Sequence, residues 1–166
     1  MARKPGSMYH DIKQHLYTRR KYMGGVPLSR ITQFVLGNKK DIFPLKLRLC
    51  SDERCQIRHI ALESARVTAN RYLEKKVGVN DYRLTINVYP HYVLRENKQA
   101  TGASADRVSQ GMHASFGKAV GTAARVKQGQ VIMEVETFER NIEFSREALI
   151  KASSKLPPPC KIKYAS

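Results

Sequence analysis

One stretch of the chain brings glycine and lysine together in a spacing close to that of a phosphate-binding loop. Such a loop cradles phosphate with backbone N–H groups and requires four residues between its glycines and a Ser or Thr directly after its Lys. Here five residues separate Gly111 from Gly117, and Ala119 follows Lys118. No strand is predicted before the first glycine, so the sequence argues against nucleotide hydrolysis at this position.

Side chains of the kind used in catalysis also occur elsewhere. Ser104, Asp106 and His113 have the residue types of a nucleophilic triad, but they lie in a segment dominated by Gly, Ala and Ser. A triad has to be held by a rigid scaffold, which such a segment does not provide. Glu134 and Glu136 share one face of a predicted strand, where we expect solvated surface carboxylates. We therefore predict a binding protein and not an enzyme.

The cysteines and histidines give no zinc signature. Four residues separate Cys50 from Cys55, and His59 lies four positions further on, whereas zinc sites usually pair their ligands at CxxC-type spacings. Three cysteines, of which Cys160 is the third, are also too few and too odd in number for a disulfide framework. We expect Cys50 to be a small core residue, and no metal or cofactor is predicted.

Net charge is the strongest chemical signal in the sequence. The 166 residues contain 30 Lys and Arg against 14 Asp and Glu, a formal net charge of +16. Self-repulsion of this size destabilises the compact state, and a polyanionic partner would relieve it. Apolar runs fall short of the roughly 18–20 residues of a membrane-spanning helix, and the basic N-terminus has no apolar segment of a secretion signal. Nucleic acid is the predicted partner, with no membrane association.

The charges are also unevenly distributed along the chain. Five glutamates fall between residues 130 and 150, while residues 1–30 and 97–127 contain one acid each. This segregation predicts two surfaces, a basic side that faces the polyanion and a more acidic side that faces solvent. A bound orientation is therefore favoured over uniform electrostatic adhesion.

Basic and aromatic residues alternate in residues 1–30, which we call the arm. The arm has seven Lys or Arg and one Asp. Lys and Arg neutralise phosphates, and tyrosine rings pack on ribose or bases. A merely solubilising tail is the alternative, but such tails contain few aromatics. The predicted RNA contacts of the arm are Arg3, Lys4, Tyr9, Lys13, Tyr17, Arg19, Arg20, Lys21 and Tyr22.

The elements that position these residues form a single α+β domain over residues 31–166. Alternating apolar and polar residues predict strands, and Pro90 predicts either a bend in one of them or a position at a sheet edge. The best helix is predicted within residues 51–76 with Ser51 or Asp52 as its cap, because acids follow the cap and lysines end the segment. The predicted strands cover 31–37, 43–50, 82–95, 130–138 and 160–164, and a second helix covers 141–154.

A long segment, residues 97–117, interrupts this pattern. It is rich in Gly, Ala and Ser and exceeds the roughly 12–15 residues beyond which connections tend to be functional or disordered. Lys118, Arg125 and Lys127 follow it and are predicted to bind RNA, with arginine able to make a bidentate phosphate contact. From the residues alone, a functional loop and a disordered linker remain equally open.

The same region resembles the signature of a known family. The resemblance is to the universal large-subunit ribosomal proteins called L-ten-e in archaea and eukaryotes and L-sixteen in bacteria, and it covers most of the chain. The family usually has Arg after Gly-Met, where this chain has His113. The matching residues are Ala105-Asp106-Arg107, Gly111-Met112, Phe116-Gly117-Lys118, Gly121 and Ala124-Arg125-Val126, with further similarity at Gly24-Gly25-Val26-Pro27, Phe43-Pro44-Leu45 and Gly129-Gln130-Val131-Ile132-Met133.

The resemblance implies a fold and a function. The fold is α+β, with two helices packed on a mixed or antiparallel sheet and a β-hammerhead-like element. The implied function is that of a cytoplasmic structural constituent of the large ribosomal subunit, which binds large-subunit ribosomal RNA near the peptidyl-transferase centre and helps to position transfer RNA. Implied partners are ribosomal RNA, transfer RNA and other large-subunit proteins, without homo-oligomerisation. The alternative is a free RNA-binding protein or RNA chaperone.

The resemblance also assigns roles to single residues. The segment that contains Asp106, Arg107, Gly111, Met112 and His113 would face transfer RNA. Lys118 and Arg125 would lie at its base. Because eukaryotic members carry a longer C-terminal extension, an archaeal source is expected.

Overall fold

Two antiparallel sheets and two helices make up the part of the chain that the computed structural model describes, residues 5–13, 15–96 and 117–165. The predicted α+β class is therefore confirmed. The strands are β1 (Val35–Gly37), β2 (Leu45–Ser51), β3 (Cys55–Arg58), β4 (Tyr82–Ile86), β5 (Tyr92–Glu96), β6 (Lys118–Val126), β7 (Val131–Thr137) and β8 (Cys160–Ala165), and the helices are α1 (His59–Lys76) and α2 (Ile142–Ser153).

The large sheet has five strands in the order β1-β4-β7-β2-β8. Leu47 and Leu49 of β2 are fully buried and lie opposite Val135 and Met133 of β7. These side chains share one core with those of α1 and α2, so both helices cover the same face of the sheet. Since successive side chains of a strand point to opposite faces, the basic residues of β2 lie on the other face, as their alternation predicts.

The small sheet has three strands in the order β3-β6-β5. Its strand β6 was not predicted, because its glycine and small side chains give little β signal. The small size is a packing requirement at Gly121, where an added Cβ would lie 3.2 Å from Nε2 of the His59 ring. β5 and β6 pair up to Glu96 and Lys118, so the two ends of the segment between them meet as one stem.

The predicted start of the first helix is wrong. α1 begins at His59, and residues 55–58 form β3 instead. Cys55 and Ile57 are fully buried and pair with Val126 and Ala124 of β6, so a long-range pairing overrides the local capping pattern. The other end agrees with prediction, since lysines occupy the last turn and Gly78 follows with a φ of 93°.

Two of the predicted strands have different limits in the structure. The strand predicted at 31–37 is formed only at Val35–Gly37, although Ile31 is buried in the core. The strand predicted at 82–95 is divided around Pro90 into β4 and β5, which belong to different sheets. Of the two alternatives predicted at Pro90, a bend or a sheet edge, the structure shows a break at which the chain passes from one sheet to the other. No helix within the described ranges is both long and apolar enough to cross a membrane.

Candidate nucleic-acid interface

Three arginines lie on one face of the small sheet, one from each strand: Arg58 from β3, Arg125 from β6 and Arg95 from β5. Arg95 reaches this face because the register of β5 and β6 shifts between Leu94 and Arg95, and such a shift re-aims the following side chain. The opposite face of the sheet carries Ile57 and is packed into the core. The small sheet therefore offers a basic face away from the core.

The arm lies across this basic face. Its backbone bonds both outer strands, because Gln56 N–H in β3 donates to the carbonyl of His10 at 2.9 Å and Val93 N–H in β5 donates to that of Tyr17 at 3.0 Å. Between them, Arg125 of the central strand donates to the carbonyl of His15 at 3.4 Å. The arm thus satisfies exposed backbone donors at both edges of the sheet, which a free edge would leave unpaired.

Each of the three arginines stacks on a tyrosine ring. The Arg58 guanidinium lies 4.8 Å from the ring centroid of Tyr9, and that of Arg95 lies 3.9 Å from the ring of Tyr17. Arg125 is likewise 4.1 Å from the ring of Tyr92 in β5. Cation–π contacts of this type contribute about 0.5–1 kcal/mol at exposed sites, and they fix the guanidinium planes. The two tyrosines of the arm therefore add side-chain contacts to the backbone hydrogen bonds that hold it to the sheet.

The side chain of Gln56 holds the start of the arm. Its amide group donates to the carbonyls of Asp11 at 2.7 Å and Tyr9 at 3.2 Å, while its oxygen accepts from Arg125 Nε at 3.3 Å. Asp11 is the only acidic residue in the arm. Its pKa is lowered by the hydrogen bond from His10, with a smaller contribution from Lys13.

A layer of exposed cations surrounds the docked arm. The densest part is the short turn Arg20–Tyr22, in which Lys21 Nζ lies 4.8 Å from the centroid of the Tyr22 ring. That ring is 65% exposed and is available to a partner. Within the described residues, the exposed cations of the arm and of β6 and its end are Lys13, Arg19, Arg20, Lys21, Arg30, Lys118 and Lys127.

The predicted RNA contacts therefore fall into three groups. Tyr9, Tyr17 and Arg125 are engaged within the protein, whereas the predicted arm cations from Lys13 onward, Tyr22, Lys118 and Lys127 are exposed. Those that lie outside the described residues are Arg3, Lys4, Asp106, Arg107, Gly111, Met112 and His113.

Sequence reasoning missed four residues that shape this interface. Arg58 and Arg95 gave no local signal because each is one basic residue at the end of a strand, and their tyrosine partners are distant in sequence. Gln56 lies in a predicted helix and Tyr92 in a predicted strand, and the sequence predicts no binding role for either.

The prediction that Glu134 and Glu136 are solvated surface carboxylates is wrong. Their side chains are 12% and 8% exposed and are ion-paired across the large sheet. Arg48 Nε contacts Glu134 Oε2 at 2.8 Å, and Glu136 contacts Arg83 and, at 3.5 Å, Lys46 Nζ. The register places these cations of β2 and β4 directly opposite the β7 glutamates. The predicted acidic, solvent-facing side does not include these two residues.

The cysteines behave as core residues. Cys50 is buried, as predicted, and Cys55 is fully buried, with both thiols free. Burial raises the pKa of the Cys55 thiol to about 11. Within the described ranges, no cluster of three His, Cys, Asp or Glu side chains is placed to hold a metal ion.

Comparison with known proteins identifies the class to which this basic fold belongs. The family model described as Ribosomal protein L16p/L10e matches residues 12–163, so the chain is a ribosomal protein. It is 54% identical over 162 residues to large ribosomal subunit protein uL16 of Methanocella arvoryzae, covering 98% of this chain and 94% of that protein. It is 52% identical to the proteins of the same name from Methanoculleus marisnigri and Picrophilus torridus, which it covers to 95% and 92%.

The chain therefore belongs to the ribosomal protein L16p/L10e family, as the signature residues predicted. It is a structural constituent of the large ribosomal subunit. Its relatives named above are archaeal ribosomal proteins and not enzymes, in agreement with the expected source and class. The alternative of a free RNA chaperone has no support among them.

Proposed function

We propose that this protein is anchored to large-subunit ribosomal RNA through the arm and the small sheet, near the peptidyl-transferase centre, and that the segment 97–117 helps to position transfer RNA. The observation that carries the proposal is the docked arm, which places exposed cations along one face of a sheet whose strands β5 and β6 end and begin next to that segment. Phosphate neutralisation by such cations supplies affinity without base specificity.

Two features of the interface support anchoring by this face. The arginines stacked on tyrosine rings are fixed before any partner binds, which lowers the entropy lost when they contact phosphates. Around them, the arm cations from Lys13 onward, Lys118 and Lys127 are exposed and can release counterions from RNA. The exposed ring of Tyr22 adds a surface on which a ribose or an unpaired base can stack.

The stem geometry supports the role proposed for the segment 97–117. Glu96 and Lys118 are paired across β5 and β6, so the segment leaves and re-enters the protein at one place. Arg95, next to that stem, is stacked on Tyr17 of the arm. An RNA-bound arm would therefore hold the stem in one orientation, and the segment would extend from a fixed base. No bond is made or broken by the protein in this role.

The anchoring proposal is tested by replacing Arg19, Arg20 and Lys21 with Ala. We expect weaker binding to large-subunit RNA and a log–log salt dependence that is flatter by up to about 2, because each lost phosphate contact removes roughly 0.7–0.9. Binding is measured between low and moderate salt. The matched control replaces Lys75, Lys76 and Lys155, three exposed lysines near the ends of the helices, and should leave the slope nearly unchanged. If the two triple variants show the same log–log salt dependence, these arm residues do not contact RNA.

The positioning proposal is tested by removing residues 101–110. We expect the variant protein to enter the large subunit at one copy per RNA, because the stem strands and the arm are retained. Transfer-RNA binding to the assembled ribosome should weaken. A second variant with a Gly/Ser sequence of equal length separates length from chemistry. If the deletion prevents entry into the subunit, anchoring and positioning have been assigned to the wrong parts of the chain.

A further inference from the structure

The face of the large sheet opposite the helices carries a second set of cations. We call it the outer sheet face. It is built by alternate residues of four neighbouring strands, whose register brings them side by side. Its members are Arg83 and Thr85 of β4, Glu134 and Glu136 of β7, Lys46 and Arg48 of β2, and Lys161 and Lys163 of β8.

The charges on the outer sheet face are arranged in two layers. The carboxylates lie deep, with Glu134 and Glu136 only 12% and 8% exposed. The cations lie further out, with Lys46 and Arg48 at 37% and 41%. The carboxylates are already bonded to these cations and hold them in place, so what the face presents outward is a set of N–H donors. Such a surface attracts anions and repels cations.

The β8 edge of this face contains an unfavourable pair. Lys163 lies directly opposite Arg48 in the β2–β8 register, and like charges in directly opposite positions destabilise a sheet. Arg48 is partly compensated by Glu134 on its other side, and Lys161 by Asp52 at 2.9 Å. Lys163 is exposed and makes no ion pair within the part of the chain that the structure describes. An external anion at this position would relieve the repulsion.

The opposite end of the face continues the same chemistry. An open depression of about 410 Å³ lies beside β1 and β4 and adds Lys39 and Asn87 to the members of the face already named. Lys39 and Arg83 contribute positive charge, Thr85 and Asn87 contribute neutral hydrogen-bonding groups, and Glu134 and Glu136, which are ion-paired with the cations of the face, form the rest of its charged lining. Phosphates and ribose hydroxyls need this combination of charged and neutral donors.

We propose that the outer sheet face is a second RNA-binding surface, which contacts the phosphate backbone of large-subunit ribosomal RNA. It is separate from the arm and goes beyond the function proposed above. The identity of the anion as RNA depends only on membership of the ribosomal family, because RNA is the abundant polyanion around a large-subunit protein. An acidic protein segment is a different partner that the test below distinguishes. The alternative explanation is that the lysines of β8 serve only to protect an edge strand from pairing with other chains.

The test compares two double variants that lower the net charge equally. Lys161→Gln with Lys163→Gln alters the outer sheet face, and Lys151→Gln with Lys155→Gln alters exposed positions in and after α2. All four positions are exposed, so both variants should fold. We expect the first to flatten the log–log salt dependence of RNA binding by about 1.4–1.8, at roughly 0.7–0.9 per phosphate contact. The second should change it by less than about a third of that.

A second measurement uses the unaltered protein in intact large subunits. Lysine acetylation should modify Lys163 much more slowly in the subunit than in the free protein, while Lys155 serves as the internal comparison. Two outcomes would overturn the inference. Equal salt slopes for the two variants, with Lys163 modified freely, would leave edge protection as the role of these lysines. A protected Lys163 with an unchanged slope would mean that another protein covers the face. If the Arg19, Arg20 and Lys21 triple variant alone leaves the salt dependence of RNA binding unchanged, anchoring by the arm is refuted and this inference stands.

Discussion

Replacing Arg83 with Met is expected to lower the free energy of unfolding by about 3 kcal/mol, because breaking a buried ion pair from one side commonly costs 3–5 kcal/mol. The variant leaves Glu136, which is 8% exposed, with Lys46 at 3.5 Å as its one ion-pair partner among the described residues. The carboxylate would then be buried with incomplete compensation. Chemical denaturation monitored by circular dichroism measures the loss.

Two further variants establish that burial is the cause. Arg140 makes an ion pair of the same kind with Asp81, but its side chain is 67% exposed, so Arg140→Met should cost less than about 1 kcal/mol. The double variant Arg83→Met with Glu136→Met removes both charges and should recover most of the loss, since a buried pair replaced by apolar residues is often nearly neutral. Equal losses for Arg83→Met and Arg140→Met would show that the β7 glutamates do not organise the outer sheet face.

Replacing both Tyr9 and Tyr17 with Ala is expected to release the arm from the small sheet. The two cation–π contacts contribute about 1 kcal/mol each, so the docking equilibrium should shift by roughly 30-fold. The backbone amides of Gln56 and Val93 donate to the arm, and their hydrogen exchange should accelerate by up to the same factor. Amide exchange followed by nuclear magnetic resonance measures this at single residues.

The control for this prediction is Tyr22→Ala. Tyr22 belongs to the same arm, but its ring contacts Lys21 and is otherwise largely exposed. Exchange at Gln56 and Val93 should therefore stay unchanged in this variant, while affinity for RNA falls if the ring stacks on a base or ribose. Acceleration by Tyr22→Ala equal to that of the double variant would contradict the assignment of Tyr9 and Tyr17 as the residues that hold the arm.

Elements whose signal is local could be predicted from the sequence. The alternation in β2 and β7 placed Leu47 in the core and the basic side chains on the other face, because a strand with one buried face imposes period 2 on its residues. The second helix, predicted at 141–154, is formed at Ile142–Ser153. Its limits were clear because the proline run at 157–159 follows it.

Elements that depend on distant partners could not be predicted. The residues of β3 are preceded by acids and followed by a helix, so their local pattern resembled a helix start, and only the pairing with β6 makes them a strand. β6 itself consists largely of small residues, and at one of them, Gly121, the ring of His59 leaves little room for a side chain. The depth of Glu136 likewise depends on the cations opposite it, which belong to strands far away in sequence.

The candidate interface divides in the same way. Its exposed cations follow from composition, since seven Lys or Arg in 30 residues need solvent or a polyanion. Its stacked arginines could not be predicted from composition, because the sequence of the arm does not indicate which strand each of its tyrosines will contact. For Tyr9 and Tyr17 the sequence predicted contact with RNA, and the structure places both rings on arginines of the protein itself.

The span of the arm's contacts has a consequence for how the chain is made. His15 accepts its hydrogen bond from Arg125, a residue 110 positions later. Because synthesis proceeds from the N-terminus, the arm leaves the ribosome long before β5 and β6 exist to receive it. Contacts between such distant residues also close slowly. The arm is thus synthesised well before the sheet on which it docks, and until β6 has emerged the nascent chain carries an undocked basic segment in an environment rich in RNA.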